Sequence, residues 1–172
     1  WQPDEDLFIE YFNRHPEVKL IIAPHVIDEN HLVEIIRKLK RPYVRYTRAD
    51  EKNVRKADCL IIDCFGLLSS IYRYGEIAYI GGGFGVGIHN TLEAAVYGIP
   101  VIFGPKYQKF QEAIQLLEAK GAFSVKDYEE LKTLLDRMLT DEVFLRESGM
   151  NASNYVTGNA GATDKIMSMI NF

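Results

Sequence analysis

Residues 77–98 read IAYIGGGFGVGIHNTLEAAVYG, and this stretch gives the clearest indication of the fold class. Its first residues, Ile77–Ile80, form a short apolar run typical of a buried strand. Five glycines in seven positions follow at Gly81–Gly87, and Thr91–Tyr97 has the composition of a helix that Gly98 closes. A strand, a glycine-rich turn and a helix in this order are typical of an α/β domain with a parallel sheet.

The alternation of strand and helix continues on both sides of this stretch. Before it, the pattern predicts a helix Asp4–Arg14 stopped by Pro16, a strand Val18–Ala23, a helix capped by Asp28, strands Tyr43–Tyr46 and Cys59–Ile62, and a helical turn Leu67–Tyr72. After it, the pattern predicts strands Pro100–Phe103 and Ala122–Val125, and helices Phe110–Ala119 (closed by Gly121), Tyr128–Leu139, Glu142–Tyr155 and Ala162–Ile170. We therefore expect a doubly wound, Rossmann-like parallel sheet with helices on both faces, in one domain over residues 1–172.

Composition disfavours several functional classes. The 172 residues carry 20 Lys and Arg against 24 Asp and Glu, and the basic residues are spread along the chain, so we expect no nucleic-acid partner. No run approaches the roughly 18 to 20 apolar residues of a membrane-spanning helix, and the expected compartment is the cytoplasm. Cys59 and Cys64 flank a predicted buried strand, and both are expected to be reduced core thiols.

The glycine run is the strongest candidate for a ligand site. In a doubly wound sheet, ligands bind beyond the carboxyl ends of the strands, and glycines there let the backbone approach a phosphate closely. The alternative is a tight turn with no ligand. The run matches neither a dinucleotide fingerprint nor a Walker loop. The segments that follow predicted strands are Pro24–His25, Asp63–Gly66, Gly81–Gly87 and Gly104–Lys106.

The helix after the glycines adds candidate side chains. Glu93 is placed to accept hydrogen bonds from the two hydroxyls of a ribose, or else it is an acidic residue that interacts favourably with the helix dipole. His89 is either a donor to phosphate or a turn residue, and Asn90 is the better N-cap. For Asp63, we expect a carboxylate that accepts backbone N–H groups. The histidines His15 and His31 lack partners at ligand spacing, so we expect no metal site.

The sequence of residues 81–105 resembles one known family. Gly81–Ala95, with Gly98–Pro105, is similar to the sugar-nucleotide-binding half of 3-deoxy-D-manno-octulosonic acid (Kdo) transferases, which are two-domain GT-B glycosyltransferases. Matching segments at Ala23–His25, Asp63–Tyr72 and Lys109–Ala113 extend the likeness over most of residues 21–125. Many members of the family have an Arg-His pair after Ala-Pro, where this chain has His25 alone.

The resemblance implies a donor substrate, CMP-Kdo, and a set of residues that bind it. It places Glu93 on the ribose hydroxyls and puts the glycine loop and the next two polar residues around the phosphate. The implied donor-binding residues are His25, Gly66, Gly82, Gly83, Gly85, Gly87, His89, Asn90 and Glu93. The implied reaction is metal-free transfer of Kdo to a lipid A precursor, with inversion, by an enzyme at the cytoplasmic face of the inner membrane.

The resemblance also implies that this chain holds only part of the enzyme. The sequence starts at Trp1 rather than Met, so we expect a fragment without the N-terminal acceptor domain, which carries the catalytic base in this family. No catalytic residue and no cofactor are then expected here, and residues 141–172 become a candidate crossover segment. Two alternatives stay open: the UDP-sugar-binding domain of another GT-B transferase or epimerase-like enzyme, and a non-catalytic nucleotide-binding or interaction domain.

Overall fold

The structure is a computed structural model that describes residues 1–161. Within this range the strands are β1 Leu20–Ile22, β2 Tyr43–Arg45, β3 Cys59–Ile61, β4 Ala78–Ile80, β5 Val101–Phe103 and β6 Ala122–Ser124. The helices are α1 Gln2–Arg14, α2 Glu29–Lys38, α3 Glu51–Val54, α4 Leu68–Ile71, α5 Leu92–Ala95, α6 Gln111–Glu118, α7 Tyr128–Thr140 and α8 Glu142–Asn159. Over residues 1–161, no helix is both long and apolar enough to cross a bilayer. The predicted helix Ala162–Ile170 lies outside the described residues.

All strand pairings are parallel, as predicted. The strands form two three-stranded sheets, in the orders β1-β3-β2 and β4-β5-β6. In the second sheet, Ala78 and Ile80 face a core cluster with α5, α6 and α8, and Tyr79 and Ile102 face another with α1 and α7. Side chains alternate between the faces because a strand has a period of two residues. The predicted α/β fold with parallel strands and helices on both faces is therefore confirmed. The strands are hydrogen-bonded into two separate sheets rather than the single sheet that was expected.

Helix α1 packs against both sheets. Ile9 and Phe12 share a buried cluster with side chains of β1, β3 and α2. Leu7 and Phe8 pack in the cluster formed by β4, β5 and α7, with Phe8 at 5.5 Å from the Tyr79 ring. The start of α1 lies at the carboxyl ends of the strands. Its N-cap residue, Trp1, stacks on His25 after β1, and Asp4 in its first turn accepts from the Gly82 N–H after β4. The helix thus joins the two sheets beneath the candidate site.

Several predicted helix boundaries differ from those observed. Residues 91–97 contain only the four-residue helix α5, since Gly98, at φ +72°, turns the chain back soon after it. At the end of α6, Lys120 rather than Gly121 takes the left-handed conformation, with φ 58°. Gly121 has a different role: a Cβ there would lie 2.6 Å from the backbone of Ala152 on α8. The helix α3, which carries a capping box, was not predicted.

The two cysteines occupy different environments. Cys59 is fully buried in β3, and burial raises the pKa of its thiol to about 12. Cys64, three residues after the end of β3, is only half-buried, so the prediction of a core position was wrong for this residue. Both are free thiols.

Candidate functional site

The glycine loop, Gly81–Gly87, is folded around one peptide group. The carbonyl oxygen of Gly82 accepts hydrogen bonds from the N–H groups of Gly85 (3.0 Å) and Gly87 (3.1 Å). Gly82 itself has φ +95°, and a Cβ there would lie 2.2 Å from the Gly87 oxygen. A residue other than glycine at position 82 would therefore disrupt the loop.

The loop also packs directly on the segment that follows β5. A Cβ on Gly83 would lie 2.5 Å from the backbone nitrogen of Gly104, so the two backbones touch where neither residue has a side chain. Lys106 reinforces this contact, because its N–H donates to the Gly83 oxygen (2.9 Å) and its Nζ to the Gly85 oxygen (3.0 Å). This places an exposed ammonium group beside the glycine loop. Lys106 lies in a segment selected from the sequence, although it was not predicted as a binding residue.

His25 and His89 come together at the carboxyl ends of β1 and β4. Their rings stack at 4.6 Å between centroids. Trp1 covers the pair: its ring stacks on His25 at 5.2 Å, and its indole Nε1–H donates to His89 Nε2 (2.9 Å). Burial lowers the pKa of His89, and the neighbouring His25 lowers it further. A neutral His89 ring that accepts the indole proton at Nε2 carries its own proton on Nδ1. The sequence offered no signal that Trp1 would lie here.

Asn90 and Glu93 form a local pair at the start of α5. The N-cap of α5 is Thr91, which makes no side-chain cap hydrogen bond, so the prediction of Asn90 as the N-cap was wrong by one residue. Asn90 Oδ1 nevertheless accepts from the first N–H group of the helix, that of Leu92 (3.0 Å). Its Nδ2 donates to Glu93 Oε1 (3.0 Å), which fixes the orientation of that carboxylate. Tyr72 lies close enough to Glu93 to be affected by its charge. Burial raises the pKa of Tyr72 to about 12, and the Glu93 carboxylate adds to the rise.

Asp63 and Gly66 follow β3 and have different environments. Asp63 is buried and accepts hydrogen bonds from the Thr47 N–H (2.9 Å), the Thr47 hydroxyl (2.6 Å) and Arg45 Nε (2.7 Å). The prediction that it accepts backbone N–H groups is confirmed. Gly66 lies in an exposed turn at φ +87°, with no atom within 4 Å of the position that a Cβ would take.

Two open spaces lie at the surface of the described residues. A cavity of about 250 Å³ beside the aromatic stack is lined by Trp1, Gln2, His25, Val26, Asp28, His31 and Glu34. A wider groove of about 730 Å³ follows β6 and α7, and none of its lining residues belongs to the glycine loop. Over residues 1–161, no group of three or more His, Cys, Asp and Glu side chains is placed to hold a metal ion.

Comparison with known proteins identifies the family. No family model matches the chain. It is 36% identical over 135 residues to the 3-deoxy-D-manno-octulosonic acid transferase of Aquifex aeolicus, an alignment that covers 77% of this chain and 37% of that protein. It is 28% identical over 170 residues to the transferase of the same name from Rickettsia felis, covering 96% of this chain and 34% of that protein. This chain belongs to the Kdo transferase family.

The fold is that of the C-terminal half of a GT-B glycosyltransferase. The structure of "the C-terminal CMP-Kdo binding domain of WaaA from Acinetobacter baumannii" superposes with a TM-score of 0.77 at 19% identity, covering 91% of this chain and 84% of that one. The sequence relatives confirm the family resemblance that residues 81–105 indicated. The chain spans about a third of the length of the curated Kdo transferases it matches.

Proposed function

We propose that this chain binds CMP-Kdo as the donor-binding domain of a Kdo transferase. The observation that carries the proposal is the convergence, at the carboxyl ends of β1 and β4, of the glycine loop, the His25–His89 stack and the Asn90–Glu93 pair. Ligands of open α/β sheets bind at this edge. The sequence relatives and the structural neighbour supply the substrate class.

In this proposal, the carboxylate of Glu93 accepts hydrogen bonds from the ribose hydroxyls. Asn90 holds one carboxylate oxygen, and an ionised carboxylate has enough acceptor sites to bind two vicinal hydroxyls as well. Because Asn90 orients Glu93 before the ligand arrives, less side-chain entropy is lost on binding.

The phosphate lies against the glycine loop in this proposal. The N–H groups of Gly85 and Gly87 already donate to Gly82, so these glycines contribute a close backbone surface rather than those two donors. Lys106 Nζ, 3.0 Å from the Gly85 oxygen, supplies positive charge. It offsets the absence of the arginine that many family members have beside the position of His25. The His89 ring, neutral at pH 7, contributes a hydrogen bond rather than a charge.

We propose that the full transferase is larger than this chain, because the alignments cover only about a third of the curated relatives. We propose that it transfers Kdo to a lipid A precursor with inversion and without a metal, at the cytoplasmic face of the inner membrane, and that the base and acceptor groove belong to another domain. The contribution of this chain to the reaction is to bind CMP and stabilise the leaving phosphate. His25 and Gly66 are included among the donor-binding residues.

A nucleotide titration followed by amide NMR tests the proposal. CMP, UMP and cytidine are added in parallel to the chain. We expect CMP to shift resonances of residues 81–93, UMP to bind more weakly, and cytidine, which lacks the phosphate, to leave the Lys106 region unchanged. A response to UMP with none to CMP would favour the UDP-sugar alternative. No response to any of the three at millimolar concentration would count against nucleotide binding by this chain.

A further inference from the structure

The first turn of α1 contacts the glycine loop through a buried carboxylate. Asp4 is only 1% exposed. Its Oδ2 accepts from the Gly82 N–H (3.2 Å), and its Oδ1 accepts from the Tyr79 hydroxyl (3.2 Å). Within residues 1–161, no Lys or Arg side chain pairs with it. A buried charge without a cation is tolerated only where hydrogen bonds satisfy it, so these two donors hold Asp4 in place.

The peptide groups on either side of Gly82 organise the whole loop. Its N–H donates to Asp4, and its carbonyl oxygen accepts from Gly85 and Gly87. Its backbone conformation, at φ +95°, is accessible almost only to glycine and is not held by a side chain of its own. The contact from α1 therefore fixes the residue on which the internal hydrogen bonds of the loop depend.

The N-cap residue of α1, Trp1, contacts the segment between the glycine loop and α5. Trp1 Nε1–H donates to His89 Nε2 at 2.9 Å, three residues before Leu92 starts α5. The Asp4 carboxylate is close enough to oppose the fall in the pKa of His89 that burial and His25 produce. Trp1 and the first turn of α1 thus contact both ends of the segment between β4 and α5.

We propose that Asp4 is a positioning residue for donor binding, which acts through Gly82 and holds the glycine loop in its binding conformation. The proposal rests on the proposed function, since it assigns a role to Asp4 in the CMP site. The carboxylate does not touch the ligand. The carboxylate accepts the hydrogen bond of the Gly82 N–H, so this N–H group is not free to bind the phosphate. The phosphate is bound instead by Lys106, His89 and the remaining backbone of the loop.

Asp4→Ala and Asp4→Asn, with Asp6→Ala as a matched control, test this role. Asp6 lies on the same turn but is exposed and pairs with Lys38 on α2, away from the loop. We expect Asp4→Ala to weaken CMP binding about tenfold and to speed exchange of the Gly82, Gly85 and Gly87 amide protons by a similar factor. Asp4→Asn keeps an acceptor for Gly82, so we expect losses of only about threefold, because an uncharged acceptor is weaker. Asp6→Ala should leave both measurements within about twofold of the original protein.

The two readouts separate this proposal from the function on which it rests. If the unmodified chain does not bind CMP, the proposed function fails, whereas amide exchange at Gly82 still reports whether Asp4 holds the loop. If Asp4→Ala does not fold, the role of Asp4 is tested with Asp4→Asn. The readouts are then the same amide exchange measurement and the chemical shift of the Gly82 amide proton. Unchanged exchange and unchanged CMP affinity in a folded Asp4 variant would overturn the proposal.

Discussion

Replacing Asp63 with asparagine should destabilise the fold and reduce its sensitivity to acid. The Asp63 side chain is fully buried, which by itself would raise its pKa, but hydrogen bonds from Thr47 and Arg45 outweigh burial and lower the pKa to about 2 from an ordinary value of 3.8. Because the pKa is lower in the folded state, the charged form stabilises the fold above pH 4, and this contribution is lost as the pH falls through 2. A difference of nearly two units corresponds to roughly 2 to 3 kcal/mol of unfolding free energy at pH 7, and to about half of that at pH 3.

Urea unfolding at pH 7 and pH 3 measures this contribution. At pH 7, Asp63→Asn should lower the unfolding free energy by at least roughly 2 to 3 kcal/mol, because its amide group would face donors on Thr47 and Arg45. The difference from the original protein should narrow at pH 3. Asp50→Asn is the matched control, since Asp50 caps the exposed helix α3 and asparagine caps about as well. Equal stability of the two proteins at pH 7, or a difference that is the same at both pH values, would refute the reasoning.

Two further changes test the loop and the ribose contact. Gly83→Ala should destabilise the chain by several kcal/mol in thermal unfolding, since its Cβ would lie 2.5 Å from the Gly104 nitrogen, whereas Gly85→Ala, whose Cβ would lie 3.8 Å from the nearest atom, should cost less than about 1 kcal/mol. Equal melting temperatures for these two variants would contradict the packing described. Glu93→Ala should weaken CMP binding by roughly 1.5 to 3 kcal/mol in calorimetry with the fold intact, and unchanged affinity would show that Glu93 does not contact the ribose.

Local features of the site were predictable because their causes are local. Asp28 caps the helix that follows it, as its side chain and position indicated. Asn90 lies one residue before the N-cap of α5, but its side chain still accepts from the first N–H group of that helix. Asp63 follows a buried strand, where a carboxylate needs N–H donors, and it has one from Thr47. The order of strands and helices likewise follows from short periodic segments, so the parallel α/β fold could be predicted without any contact map.

Contacts between distant residues were not predictable in the same way. The Asp4–Gly82 hydrogen bond joins residues 78 apart, and the Trp1–His89 bond joins residues 88 apart. Such pairs are set by how α1 packs on the sheets, for which one sequence carries no signal. The short α5 has a similar cause, because Gly98 must turn the chain where Gly149 of α8 packs against it: a Cβ on Gly149 would lie 2.2 Å from the Gly98 oxygen.

The candidate site depends on the relative position of the two sheets. His25 follows β1 in the first sheet, whereas the glycine loop and Glu93 follow β4 in the second. Helix α1 packs on both sheets. Its N-cap residue, Trp1, contacts His25 and His89, and Asp4 in its first turn contacts Gly82. A ligand that spans these groups binds only when both sheets are docked against α1. Donor binding should therefore stabilise the packing of α1 on the sheets as well as the loop itself.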